Sequence, residues 1–154
     1  MARLVGIAVS LLALGLWGCG GGNGGPPRDT DPPAVTAGSL TLVGTTQTGT
    51  RLELAFVGGR VVVRATVTDP SGVALVRLLV TPAPPTFTPQ NLTPDAQGKV
   101  ESAPVELPAN LESTDKTYEF RLRVRDTLGN EGERIVGTVV VKAASGLSPP
   151  PPPF

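Results

Sequence analysis

The chain has 154 residues with 13 Lys and Arg against 13 Asp and Glu, so no net field draws it to nucleic acid or to an anionic bilayer. It has no His and a single Cys, which excludes an internal disulfide and removes the usual ligands of zinc, copper and haem sites. Ser-His-Asp and Cys-His catalysis are excluded by the same composition, leaving only carboxylate, Lys or Tyr chemistry.

Met1-Ala2-Arg3 carries one positive charge, and Leu4 to Trp17 follows without a charge and with Ser10 as its one polar side chain. That is the pattern of a signal-peptide n-region and h-region. As a helix the run would reach about 21 Å, short of the ~30 Å hydrocarbon core that a permanent span must cross. Residues 1–18 are therefore expected to be a cleaved leader.

The run closes in Leu16-Trp17-Gly18-Cys19. This resembles the lipobox of bacterial lipoproteins, with Leu three residues before the Cys, a small residue just before it and the Cys as acceptor; Trp17 departs from the small or β-branched residue usual there. The resemblance implies a diacylglyceryl thioether on Cys19, cleavage before it and a further acyl chain on the new amine. One acyl chain gives marginal membrane binding at ~10⁴ M⁻¹, and two or three make it stable. Cys19 is thus the expected lipidation site, and its covalent lipid the only prosthetic group expected. The alternative is plain secretion with a free thiol, but no Ala-x-Ala site stands near the end of the apolar run, and lipidation accounts for an unpaired Cys in an exported protein. Gly20 stands where an Asp marks inner-membrane retention in enteric lipoproteins, so the resemblance points to the outer membrane or the cell surface.

Residues 19–33 read as the lipidated Cys and a tether. Gly20 to Gly25 is glycine apart from Asn23, then Pro26, Pro27, Pro32 and Pro33 stiffen the chain around Arg28, Asp29, Thr30 and Asp31. With nothing to bury, such a segment is expected to be disordered.

From 34 to 143 apolar and polar residues alternate, β-branched types are enriched and no helical repeat persists, so the domain reads as all-β. Strands are expected over Ser39–Val43, Arg51–Val57, Arg60–Thr68, Val73–Thr81, Lys99–Val105, Tyr118–Arg125 and Ile135–Lys142, divided by Gly, Pro, Asn and Asp. In the third, Val61, Val63, Ala65 and Val67 share a face. In the sixth, Tyr118, Phe120, Leu122 and Val124 point one way and Glu119, Arg121, Arg123 and Arg125 the other, so one face is core and one is wet. About seven short strands fit a single antiparallel two-sheet sandwich. The stretches VTDPSGVALVRLLV and YEFRLRVRDTLGNEG resemble the bacterial Ig-like and fibronectin type III-like modules of cell-surface proteins, whose late strands run from Tyr through alternating apolar residues to Asp and Gly-Asn, as Tyr118 to Asn130 does. The resemblance implies an Ig-like β-sandwich; the Trp and the Cys pair of antibody domains are absent from it. Residues 144–154 form a tail with five prolines, Pro149 to Pro153, read as a linker end in polyproline II.

Three groups of residues are candidates for chemistry. Asp69 and Asp126 end strands whose following loops share one end of an Ig-like sandwich, so with Asn130 they offer oxygen ligands for a Ca²⁺. The plainer reading makes each an Asx turn, with Gly72 and Gly129 at positive φ, and no EF-hand or cadherin-like acidic cluster favours the metal. Arg77, Arg121, Arg123 and Arg125 are expected on the outer face of one sheet, where they would bind phosphate or carboxylate on an anionic glycan, lipid or acidic partner. The plainer reading is a solvated face balanced by Glu119, Glu131 and Glu133. Glu131 and Glu133 share a strand face with no cleft implied, and Tyr118 suits a core or tyrosine-corner position, so no catalytic residue is assigned.

The expectation from sequence is a lipid-anchored cell-envelope protein, not an enzyme, whose Ig-like module binds an envelope protein or glycan and no nucleic acid. The alternative is a structural spacer or accessory subunit of an envelope complex.

Overall fold

A computed structural model describes residues 28–144. The leader, Cys19, the glycine run and the proline tail lie outside the described residues, so the lipid anchor has no structural counterpart here. Within them the chain forms ten strands: β1 (Ala34–Leu42), β2 (Thr48–Gly49), β3 (Arg51–Leu54), β4 (Gly59–Thr68), β5 (Val73–Thr81), β6 (Gln90–Leu92), β7 (Lys99–Glu101), β8 (Val105–Leu107), β9 (Lys116–Asp126) and β10 (Glu131–Val141). No helix among the described residues is long and apolar enough to cross a membrane.

The strands make two sheets. One runs β2-β1-β4-β7 with β8 also on β4, and the other runs β3-β10-β9-β5-β6. The period-two patterning explains the layering, because each sheet must hide one face against the other. Val61, Val63, Ala65 and Val67 of β4 turn inward from the first sheet, and Tyr118, Phe120, Leu122 and Val124 of β9 from the second. All eight are 5% exposed or less, as the alternation requires. Burying each large side chain is worth ~1.5–3 kcal/mol, and that term holds the layers together.

Three departures from the expected seven antiparallel strands have local causes. The strand expected over Lys99–Val105 is broken into β7 and β8 around Ser102, Ala103 and Pro104; Pro104 has no N–H to give a ladder, and Ser102 Oγ accepts the Val63 N–H at 2.9 Å instead. Short β2 and β6 pair at sheet edges, too brief to show a period. The sandwich is also not wholly antiparallel: β3 lies parallel to β10, from Arg51 beside Thr138 to Leu54 beside Val141. After β2 the chain leaves the first sheet and joins the second, which brings the Thr50 carbonyl to the Thr138 N–H at 2.9 Å. Gly137 permits the crossing, since a Cβ there would sit 2.5 Å from the Thr50 carbonyl oxygen.

Register fixes the ends of the sandwich. Ala34 lies beside Thr68 and Val73 beside Asp126, so the entering chain, the β4–β5 loop and the β9–β10 turn share one end. Val141 lies beside Lys116 and Leu54, so the chain leaves at the opposite end. The body of the domain also takes in residues read from sequence as tether: Pro33 is buried, and the Asp29 carbonyl accepts from Asn130 Nδ2 at 3.1 Å. A polar Pro-rich segment looks unstructured by composition, but here it lies against the β9–β10 turn.

Candidate functional site

Two regions gather the residues that sequence singled out. The first is the outer face of β5, β9 and β10. Alternation puts Arg121, Arg123 and Arg125 of β9 outward, and register puts Arg77 of β5 beside Arg123. The expected stripe therefore exists as an arrangement, but β10 meets it with carboxylates. Glu133 pairs with Arg123, and Glu131 with Arg125, across the β9–β10 ladder. Glu133 Oε1 lies 3.0 Å from Arg121 Nη1 and its Oε2 lies 3.3 Å from Arg123 Nη2, while Arg125 Nη1 lies 3.8 Å from Glu131. Arg121 also holds Glu119, two residues away on its own strand. Hydrogen bonds from Arg121 and then Arg123 keep the Glu133 carboxyl below its ordinary range. Arg77 has no ion-pair partner among the described residues and is exposed.

The second region is the end of the sandwich where the chain enters. Asp69 Oδ1 accepts the Ser71 N–H at 2.8 Å, and Asp126 Oδ1 accepts those of Leu128 and Asn130 at 2.8 and 2.7 Å. Both are Asx turns, and Gly72 and Gly129 take φ of 92° and 96°. The loops are stitched together, with the Thr127 N–H bonded to the Gly72 carbonyl at 3.0 Å and its hydroxyl to the Ser71 carbonyl. Asp126 is 1% exposed. Burial alone would raise its pKa, but the Asn130 side chain and the N–H groups of Asn130, Gly129 and Leu128 outweigh that and lower it.

Stitching the loops brings the Asp69 and Asp126 carboxylates together, and Asp29 joins them. One carboxylate oxygen from each of the three lies within 4.8 Å of the others. Asn130 is the hinge pin, its Nδ2 donating to Asp126 Oδ2 at 2.6 Å and to the Asp29 carbonyl. Sequence reading found two carboxylates and the Asn and missed Asp29, because position 29 sits in a Pro-rich stretch with no periodicity. The available signal was the Asp29-Thr30-Asp31 doublet immediately before the first strand.

On the other sheet a shallow depression of about 550 Å³ is lined by Arg64, Asp95, Lys99 and Glu101 among others. Three of these side chains are already engaged: Arg64 grips Glu101 through two hydrogen bonds of 2.7 and 3.2 Å, and Asp95 caps a turn by accepting the Gln97 and Lys99 N–H groups. Tyr118 is a core residue, 1% exposed, with Lys116 Nζ 5.9 Å from its ring centroid.

The fold defines the class as an all-β two-sheet sandwich. Comparison with known protein families and with curated proteins finds no match for this chain.

Proposed function

We propose that this protein is a lipid-anchored cell-envelope component in which Cys19 carries the anchor and an Ig-like sandwich acts as a non-catalytic binding module for an envelope protein or glycan. The observation that carries the reading is the sequence Leu16-Trp17-Gly18-Cys19, closing an uncharged apolar run and followed by a glycine-rich stretch. The geometry of the domain agrees with it. The chain enters at one end of the sandwich and leaves at the other, so an anchor before residue 28 would attach at the entry end and not at the opposite one. That end carries exposed Phe56, Val57 and Leu111, and the Asn110 N–H bonded to the Phe56 carbonyl at 2.7 Å brings their loops together. Exposed apolar side chains held on neighbouring loops suit recognition of a protein surface.

A second reading, a structural spacer or accessory subunit, is favoured by the β9–β10 face. Its Arg121, Arg123 and Arg125 are matched by glutamates of the same sheet, and of the four only Arg77 has no ion-pair partner among the described residues.

Intact mass and membrane partition of the wild type beside Cys19→Ser test the anchor. The wild type is expected to begin at an acylated Cys19 and sediment with membranes, and the variant to be released. A wild type cleaved elsewhere and found soluble would overturn the reading.

A further inference from the structure

We propose that Asp29, Asp69 and Asp126 bind one calcium ion, which clasps the entering chain to the β4–β5 and β9–β10 loops.

The three carboxylates come from distant parts of the chain, and no Lys or Arg forms an ion pair with any of them among the described residues. Like charges at this spacing repel, and the repulsion grows as water is excluded. Each carboxylate spends Oδ1 on its own turn: Asp29 on the Asp31 N–H at 3.1 Å, Asp69 on Ser71, and Asp126 on Leu128 and Asn130. The second oxygens remain. Asp126 Oδ2 takes one bond, from Asn130, and Asp69 Oδ2 takes none from the described residues. Asp29 Oδ2 exposes less than 1 Å² and has no donor among the described residues.

A buried carboxylate oxygen without a donor is a costly arrangement that native structures avoid, and here no side chain is placed to supply one. A cation supplies what is missing. Two oxygens each bound at about 2.4 Å to one ion can be no more than about 4.8 Å apart, and one oxygen from each of the three carboxylates meets that limit. The all-carboxylate donor set selects a hard cation over zinc or copper. Calcium suits it better than magnesium, because it accepts irregular oxygen cages completed by water while magnesium demands near-ideal octahedra.

The clasp has a mechanical consequence. Asp29 precedes the first strand, so the ion would tie the incoming segment to two loops of the domain and set the angle at which the domain leaves it. That consequence for orientation at a membrane rests on the anchored reading; the binding of the ion does not.

The test uses the full chain in detergent micelles, stripped with EGTA and titrated with CaCl₂ by calorimetry and by thermal unfolding. One ion per chain is expected, with Kd of roughly 10⁻⁴–10⁻³ M as in extracellular modules. The unfolding midpoint should rise by roughly 5 °C at about ten times Kd. Asp29→Asn and Asp69→Asn should lose the calcium response yet unfold in EGTA no earlier than wild type, because each removes a charge from an uncompensated cluster. No heat and no shift up to about 10 mM calcium, well above that range, would overturn the proposal. So would variants that lose stability equally with and without calcium, which would make the carboxylates turn acceptors only. An equal response to MgCl₂ would overturn the assignment to calcium. Because Cys19 is untouched, failure here is distinct from failure of the anchor, which is read by membrane partition.

Discussion

The two charged regions of the sandwich treat their ionised groups in opposite ways. On the β9–β10 face, Arg121, Arg123 and Arg125 each find a glutamate, and the pairs are partly exposed to water. At the entry end, Asp29, Asp69 and Asp126 converge with no Lys or Arg paired to them among the described residues, and one buried oxygen lacks a donor there. A run of like charges in the sequence thus marks the ordinary surface here. The less conspicuous aspartates, spread over three segments, make the unbalanced cluster. Charge becomes informative only when its neighbours are known.

Three measurements sharpen or break that contrast. The largest effect should come from the inward side of β9. Phe120→Ala removes a fully buried ring from directly behind the Arg face and should cost about 3–5 kcal/mol in urea unfolding. If it costs under about 1 kcal/mol, well below the range for such truncations, the face is not held by the layer beneath it.

The next is acid unfolding. Asp126, whose pKa is lowered on balance, contributes stability that is fully present above the ordinary Asp value of about 3.9 and is lost as pH falls through its folded value. Glu133 is lowered too, with its bonds to Arg121 first among the causes, so its contribution fades below the ordinary Glu value of about 4.3. Stability followed by circular dichroism in EGTA should therefore stay level from neutral pH to about 5 and fall below about pH 4. Asp126→Asn should flatten that fall more than Glu133→Gln, because Asp126 is buried and ties together the turn. The reverse order would place the structural charges on the sheet face instead.

The smallest effect is expected at Arg123→Ala. Its side chain is half exposed and shares Glu133 with Arg121, so stability should change by no more than about 0.5 kcal/mol and less still in high salt. A loss above about 2 kcal/mol, beyond what exposed pairs supply, would show that the ladder of ion pairs holds β10 in place.

Much of this architecture was legible in the chain. The inward sets of β4 and β9 follow from strict alternation, and Val73–Thr81 was bounded by turn residues at both ends, so its limits were read correctly. The break at Ser102 and the parallel β3–β10 pair were not legible. Each depends on what lies across the ladder, the Val63 N–H in one case and the Thr138 N–H in the other. The same holds at the entry end. Asx turns at Asp69 and Asp126 are local and could be read from Asp-Pro-Ser-Gly and Asp-Thr-Leu-Gly-Asn, whereas the arrival of Asp29 beside them could not.

The division has one physical cause. Periodicity, turn chemistry, the lipobox-like leader and the missing His are properties of neighbouring residues or of composition, and so the sequence alone carries the all-β class, the inward faces and the expected anchor at Cys19. Whether an arginine is matched or an aspartate stranded depends on residues tens of positions away, brought close only when the sheets pair and the loops at one end are stitched together. Tertiary structure alone decided that Arg121, Arg123 and Arg125 are balanced and that three aspartates share one end with no Lys or Arg paired to them among the described residues.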